Sequence, residues 1–479
     1  MWSSAIFGSF ARALIVALLL HIAPTDARQK CSLKARDQAV LHPVDHGPVP
    51  SPTSSTIIGT ATVTFNGKPS ASPIYNYSPY RYGMDKIRGV NIGGWLVLEP
   101  WITPSLFDAT GNDKIIDEFT LGQYLDPGKA QTLLQQHWST WITEDDFVQI
   151  AAAGLNHVRI PIGYWSIPLT SSDTKESTDS SPYVTGAWDF LLRAVSWANN
   201  HGLQVIIDLH GAPGSQNGYD NSGELTNNPV WAVNQGNISR TVDTIKFLAK
   251  TFGSDVGMIE LLNEAAGFRG DDWANAVRQY WLDGYAAVRA SGGQDVQVMI
   301  GEAFMGFDAW KNFLSYPGAQ GVFMDYHEYQ IFSHPELSRS YDDHINFACT
   351  YKPTLSTFSV TSLYTILGEW SNAITDCAKW LNGRWVGSRW DNTWYPSSDT
   401  QYHGSCDGYT GSYQGWSDSY KQFLRKYFEV QVEVGEAGQG WVFWTWKTES
   451  ADEWSYQKGL EGGWIPQNPT DRRYPNICK

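Results

Sequence analysis

Polar and apolar positions along this 479-residue chain follow two alternating rhythms from Tyr82 onward. Short apolar runs of strand length recur between longer stretches with helical spacing. The strand-like runs are Ile87–Trp95, His157–Ile162, Leu203–His210, Met258–Glu264, Gln297–Glu302, Val322–Tyr329, Tyr364–Glu369 and Gly440–Trp446. Between them the spacing predicts helices over Leu133–Gly154 in two pieces, Gly186–Asn200, Arg240–Thr251, Asp271–Ala290 and Ser417–Val434. A short helix at Ala309–Leu314 and a helical turn near Pro353–Ser359 complete the alternation. Eight strands alternating with helices imply an α/β fold, a single (β/α)8 TIM barrel. Two connections are long and glycine-rich, Gly211–Gly223 after the third strand and Asn382–Tyr413 after the seventh.

The chemistry lies where the apolar runs break. Met258-Ile259-Glu260-Leu261-Leu262 ends abruptly in Asn263 and Glu264, and Tyr364–Gly368 ends in Glu369 and Trp370. Polar groups at the C-terminal ends of several barrel strands have no packing role, whereas a site assembled from several strands needs them. Glu99 follows the first strand, Arg159 lies in the second, Asp208 and His210 close the third, and His327 and Tyr329 close the sixth. Trp444 and Trp446 belong to the eighth. Two carboxylates at two strand ends suit glycoside hydrolysis, one as acid/base and one as nucleophile or base. Glu264 is then expected to be the acid/base, its pKa raised by the nearby ionised Glu369. Arg159 is expected to keep Glu369 ionised, Tyr329 to orient it, and Asn263 to hold a sugar 2-hydroxyl. His210 and His327 would bond ring hydroxyls, and Trp446 would offer a stacking floor. Glu99 and Asn221 would bond the outer hydroxyls of a terminal sugar. Trp385, Trp390 and Trp394 would close one end of the pocket, which favours exo attack.

Composition narrows the substrate. The chain carries 23 Trp, 24 Tyr and 20 Phe, an excess that suits stacking on sugar rings, although most of these fill a core. A formal charge of −15 argues against nucleic acid, anionic membranes and polyanionic substrates, and leaves neutral sugars open. No phosphate-binding loop and no G-x-S-x-G elbow occurs, so no cofactor and no esterase chemistry is expected. A metal-dependent hydrolase using Asp208, His210 and His327 is the rival on residues alone, but the first strand carries no His-x-His, and no metal is expected. A non-catalytic sugar-binding barrel is the rival from the binding class; it would tolerate loss of one Glu, and both are kept.

Residues 1–27 read as a signal peptide, with Arg12, the apolar run Ala13–Leu20 and the small-residue site Thr25-Asp26-Ala27. Residues 28–80 are rich in Pro, Ser and Thr and read as a leader or linker, with a short strand at Ile57–Phe65; residues 81–479 are the catalytic domain. The expected product is a secreted, soluble monomer of the extracellular space or cell wall, glycosylated at the sequons of Asn76 and Asn237. Five cysteines fit an oxidising compartment with two bridges. Cys31, in the leader, is expected to be the unpaired one.

Five segments carry a family resemblance. R-G-V-N-I-G-G-W-L-V-L-E-P-W at 88–101, L-H-G-A-P-G-S-Q-N-G at 209–218, L-N-E at 262–264, L-G-E-W at 367–370 and F-W-T-W-K-T-E at 443–449 resemble fungal exo-β-1,3-glucanases of glycoside hydrolase family 5. The resemblance runs from about Tyr82 to Cys478. It implies Asn263 and Glu264 as the acid/base pair and Glu369 as nucleophile of a retaining enzyme. It also implies Glu99, Arg159, His210, His327, Tyr329 and Trp446 as accessory site residues, and Tyr219 with Phe332 as an aromatic entrance clamp. By the same resemblance Cys349 pairs with Cys478, which leaves Cys377 with Cys406. The implied substrate is a β-glucan polysaccharide or oligosaccharide, with endo attack and β-1,6 linkage remaining open.

Overall fold

The computed structural model describes residues 80–176, 181–394 and 401–479. The signal peptide, the strand at Ile57–Phe65, Cys31 and Asn76 lie outside the described residues. Eight parallel strands close into a barrel in sequence order. They are β1 (Ile87–Asn91), β2 (His157–Gly163), β3 (Gln204–Gly211), β4 (Met258–Glu260), β5 (Gln297–Gly301), β6 (Val322–Glu328), β7 (Tyr364–Trp370) and β8 (Gly440–Phe443). Helices cover the outside, among them Trp188–Asn200, Gln235–Phe252, Asp271–Ala290, Tyr341–Thr361 and Asp418–Ala437.

Alternation along the strands divides the barrel interior into two floors. At the bottom Ile87, Ile206, Met258, Met299, Phe323, Ile366 and Val442 make an apolar plug, with Tyr80 and Tyr82 packed beneath it. Two residues further along three of these strands the inward positions turn charged, Asp208 after Ile206, Glu260 after Met258 and Asp325 after Phe323, and Arg159 joins them from β2. The functional rim is built on that second floor.

Several elements differ from their sequence expectation, each for a local reason. The expected fourth strand, Met258–Glu264, keeps regular pairing only to Glu260. Its continuation is held by single bonds, from the Leu261 N–H to the Met299 carbonyl (3.0 Å) and from the Asn263 N–H to the Leu209 carbonyl (2.9 Å). The eighth ends at Phe443 rather than Trp446. Ala309–Leu314 forms no α-helix; a single turn at Phe307–Trp310 connects β5 to β6. The turn expected at Pro353–Ser359 belongs to a 21-residue helix, Tyr341–Thr361, that contains Pro353. An internal proline removes one helical hydrogen bond. Here the loss is offset by a Ser340–Asp343 capping box and by Tyr341 stacking on Phe423 at 4.0 Å.

Both expected disulfides are present, Cys349–Cys478 and Cys377–Cys406, with Cα atoms 5.2 and 5.5 Å apart. The first ties the C-terminal tail to the Tyr341–Thr361 helix, and the second staples the long loop after β7. Asn237 sits half-buried in the first turn of the Gln235–Phe252 helix. Among the described residues no helix is long and apolar enough to cross a membrane. Most tryptophans serve the core: Trp95, Trp138, Trp231, Trp281 and Trp370 are all fully buried.

Candidate active site

Arg159 is the hub. Its side chain, fully buried, donates from Nε to Glu260 (2.6 Å), from one terminal nitrogen to Asn91 (3.0 Å) and Glu369 (2.9 Å), and from the other to Asn263 (2.8 Å). The same fork lies 3.2 Å from Asp208 and 3.9 Å from Asp325. One planar guanidinium thus fixes the carboxylate at the end of β7 and the amide beside Glu264 in a single geometry.

Glu369 is brought into reach by a register shift. Tyr326 pairs with Leu367, but His327 pairs with Glu369, so Gly368 is skipped. Gly368 has to be glycine, because a Cβ there would overlap the Asp325 carboxylate. The second Glu369 oxygen accepts the Tyr329 hydroxyl at 3.0 Å. Glu264 is presented from the other side with φ of 45°, a left-handed conformation that is rare for a residue with a side chain. His327 Nδ1 stands 3.0 Å from one Glu264 oxygen, and the Asn221 amide donates to the other at 2.9 Å. One oxygen of Glu264, one of Glu369 and a ring nitrogen of His327 all lie within 4.8 Å of one another.

The glycine-rich loop after β3 supplies the support. The Gln216 amide donates to the His210 carbonyl (2.8 Å) and the Asn263 carbonyl (3.1 Å), while its oxygen accepts the Ala212 N–H (3.0 Å). Asn217 donates to the Asn221 oxygen at 3.1 Å, which directs the Asn221 amide at Glu264. His210 is anchored through Nδ1 to Asp208 at 2.6 Å. Glu99, almost fully buried, accepts the Trp101 indole N–H at 2.9 Å. Tyr219 is half-exposed, and Phe332 packs edge-on against Tyr329 at 5.8 Å.

Two expectations need correction. Trp446 is no floor: it is completely buried, its indole N–H donates to Asp146 (2.9 Å) and its ring lies near Tyr456. Period-two counting carries the strand past Phe443, where it ends. The aromatic beside the site is Trp444, stacked on His210 with ring centroids 5.5 Å apart. Glu264 also departs from the expected raised pKa. Burial pushes it up, but the His327 and Asn221 hydrogen bonds and the His327 charge outweigh this and hold it below the ordinary value. Glu369 is the raised carboxyl, through burial, against the opposing charges of His327 and Arg159. Burial lowers His327, yet Glu369, Asp325 and Glu264 together lift it well above the usual imidazole range.

Asn91, Gln216, Glu260, Asp220, Asp325 and Trp444 receive no task from the sequence pattern. The signal for Glu260 and Asp325 is legible all the same, since each is a carboxylate at an inward position of an apolar strand. Asp220 is half-buried next to the site, and desolvation of its carboxyl together with the nearby Asp117 pushes it up to about 7. Each carboxylate of the second floor places one oxygen against the Arg159 guanidinium or an imidazole nitrogen, while its other oxygen, on Asp208, Glu260 and Asp325, has no hydrogen-bond partner among the described residues.

A parallel barrel presenting two carboxyls across its C-terminal rim has the architecture of a barrel glycoside hydrolase. A family model described as cellulase, glycosyl hydrolase family 5, matches residues 125–450. The chain is 42% identical over 406 residues to a glucan 1,3-beta-glucosidase of Blumeria graminis, covering 83% of this chain and 91% of that one. It is 43% identical over 407 residues to glucan 1,3-beta-glucosidase 2 of Wickerhamomyces anomalus, with the same coverage. Among solved structures it is similar to a rutinosidase from Aspergillus niger, with a TM-score of 0.60 at 18% identity over 80% of this chain and 98% of that one; that likeness is one of fold. The chain belongs to glycosyl hydrolase family 5.

Proposed function

We propose that this protein is a retaining exo-β-1,3-glucosidase that releases glucose from the non-reducing ends of β-glucans. The observation that carries this reading is the close approach of Glu264 and Glu369, with oxygens inside 4.8 Å. That suits the roughly 5–5.5 Å carboxyl spacing of retaining glycosidases rather than the wider spacing that admits a water in inverting ones. Glu369, gripped by Arg159 and Tyr329, is the nucleophile, and Glu264 the acid/base. Asn263, fixed by Arg159, holds the sugar 2-hydroxyl, a contact that strengthens in the transition state. His210 and Trp444 flank the ring. Glu99 takes an outer hydroxyl, Asn221 holds Glu264 instead of the sugar, and Tyr219 with Phe332 clamp the sugar at the entrance.

The names of the relatives support glucose release from a β-1,3-glucan. Two disulfides support an extracellular enzyme, and we read it as a secreted monomer needing no cofactor. The nucleophile is tested with a 2-deoxy-2-fluoro-β-glucosyl substrate bearing a good leaving group, which stalls the covalent intermediate. Mass spectrometry of the digested protein should find the sugar on the peptide containing Glu369. A label on another carboxylate, or turnover without a stalled adduct, would overturn the assignment.

A further inference from the structure

His327 is held between two carboxyls. Nδ1 lies 3.0 Å from Glu264 Oε1, and Nε2 lies 3.0 Å from Asp325 Oδ2. A neutral imidazole offers one N–H and one bare nitrogen. A bare nitrogen cannot face an ionised carboxylate oxygen at that distance, because two lone pairs would meet. Every arrangement that satisfies both contacts therefore places two protons on the three groups, one in each hydrogen bond. Asp325 is built for this place: it is 1% exposed, and its carboxylate lies over Gly368, where no side chain fits.

We propose that Asp325, His327 and Glu264 form a proton relay, in which Asp325 holds His327 as the reservoir for the proton that Glu264 gives to the leaving glycosidic oxygen. The relay rests on the reading of Glu264 as acid/base and Glu369 as nucleophile. In the first displacement a Glu369 oxygen bonds to the anomeric carbon as the bond from that carbon to the glycosidic oxygen breaks. The freed electron pair stays on the departing oxygen; the His327 Nδ1 proton crosses to Glu264 and Glu264 passes it to that oxygen, leaving His327 neutral with its remaining proton toward Asp325. The site loses one proton to the leaving alcohol and one negative charge to the ester, so its net charge is unchanged. In the second displacement water attacks the anomeric carbon, the ester bond breaks, and the water's proton returns through Glu264 to His327.

The timing follows from position. Glu369 Oε2 lies 3.5 Å from His327 Nδ1, so esterification removes one of the charges that hold the imidazolium just when its proton is needed. The groups facing His327 are Glu264 from the end of β4, Glu369 from β7, Asp325 from its own strand, Glu260 from β4 and, more remotely, Glu302. The cation opposing them is Arg159, 3.9 Å from Asp325, with His210 acting on Glu264 from across the site. Asp325 does not touch the sugar; it is a positioning residue.

The test compares leaving groups. Asp325→Asn keeps an oxygen to accept from Nε2 but removes the charge. A 2,4-dinitrophenyl β-glucoside departs without protonation, whereas a laminari-oligosaccharide requires it. General acid assistance is worth about 10²–10⁴ in rate. Asp325→Asn should therefore lose at least about tenfold in kcat/KM on the oligosaccharide and keep most of its kcat/KM on the dinitrophenyl glucoside. In the wild type, ¹⁵N NMR near pH 6 should show both His327 ring nitrogens protonated, the signal being assigned by its loss in His327→Gln. Equal losses on both substrates, no loss on either, or a singly protonated His327 would overturn the relay. A wild-type enzyme inactive on both substrates would overturn the hydrolase reading, and the relay with it.

Discussion

Replacing Arg159 by lysine keeps the charge and removes the fork. The guanidinium spans Glu260 on one edge and Glu369 and Asn263 on the other, with bonds of 2.6, 2.9 and 2.8 Å and no exposed side-chain surface. A single ammonium cannot reach both edges, so at least one buried carboxylate loses its partner. Breaking a buried pair costs about 3–5 kcal/mol. Glu260 can absorb part of that by taking a proton, since burial and the neighbouring Asp208 and Asp325 already lift its pKa well above normal against Arg159. The expected loss is therefore near the lower end, about 3 kcal/mol in urea unfolding at pH 6, with an unchanged m-value. Glu369 also loses a donor and part of the positive field that opposes its raised pKa. As the proposed nucleophile, Glu369 attacks only when ionised, so the acid limb of kcat/KM should move to higher pH, by one unit for each ~1.4 kcal/mol of lost stabilisation. An Arg159→Lys variant within about 1 kcal/mol of the wild type and with an unmoved acid limb would refute the hub.

Other expectations follow from the rest of the molecule. A chain beginning at Tyr80 should fold and turn over normally, whereas one beginning at Gly83 loses the two tyrosines that close the barrel floor and should drop by about 3 kcal/mol in urea unfolding. Gly368→Ala forces a methyl into the Asp325 carboxylate; destabilisation of about 1–3 kcal/mol with a disproportionate fall in kcat is expected, and normal turnover would contradict the close approach. Glu453 is buried and pushed up to about 8, so its contribution is intact below the ordinary carboxylate range and is lost as pH rises toward 8. Glu453→Gln should thus leave Tm nearly unchanged at pH 4.5 and raise it at pH 8; equal shifts at both would refute the assignment.

The barrel was legible because its strands are buried on both faces and punctuated by glycine turns. What escaped were features set by tertiary contacts. Pro353 argues for a short turn, yet caps and aromatic packing carry a long helix through it. Glu264 and Glu369 stand out as polar residues at apolar strand ends, and Arg159 as a lone charge in a buried strand. Glu260 and Asp325 carry the same signal but lie one inward position deeper, where the strand pattern absorbs them. Trp446 takes the place of Trp444 in the sequence reading because alternation does not reveal where a strand stops. The pKa order of the two carboxyls depends on His327, whose contact with both strand ends follows from a skipped Gly368 that no periodicity shows.

The most direct measurement is proton NMR of the first turnovers on a laminari-oligosaccharide reduced at its far end. Glucose should be the earliest product, appearing as the β-anomer before mutarotation, while the polymer shortens one unit at a time. An initial α-anomer would contradict the double displacement at Glu369, and early laminaribiose or longer fragments would contradict exo attack.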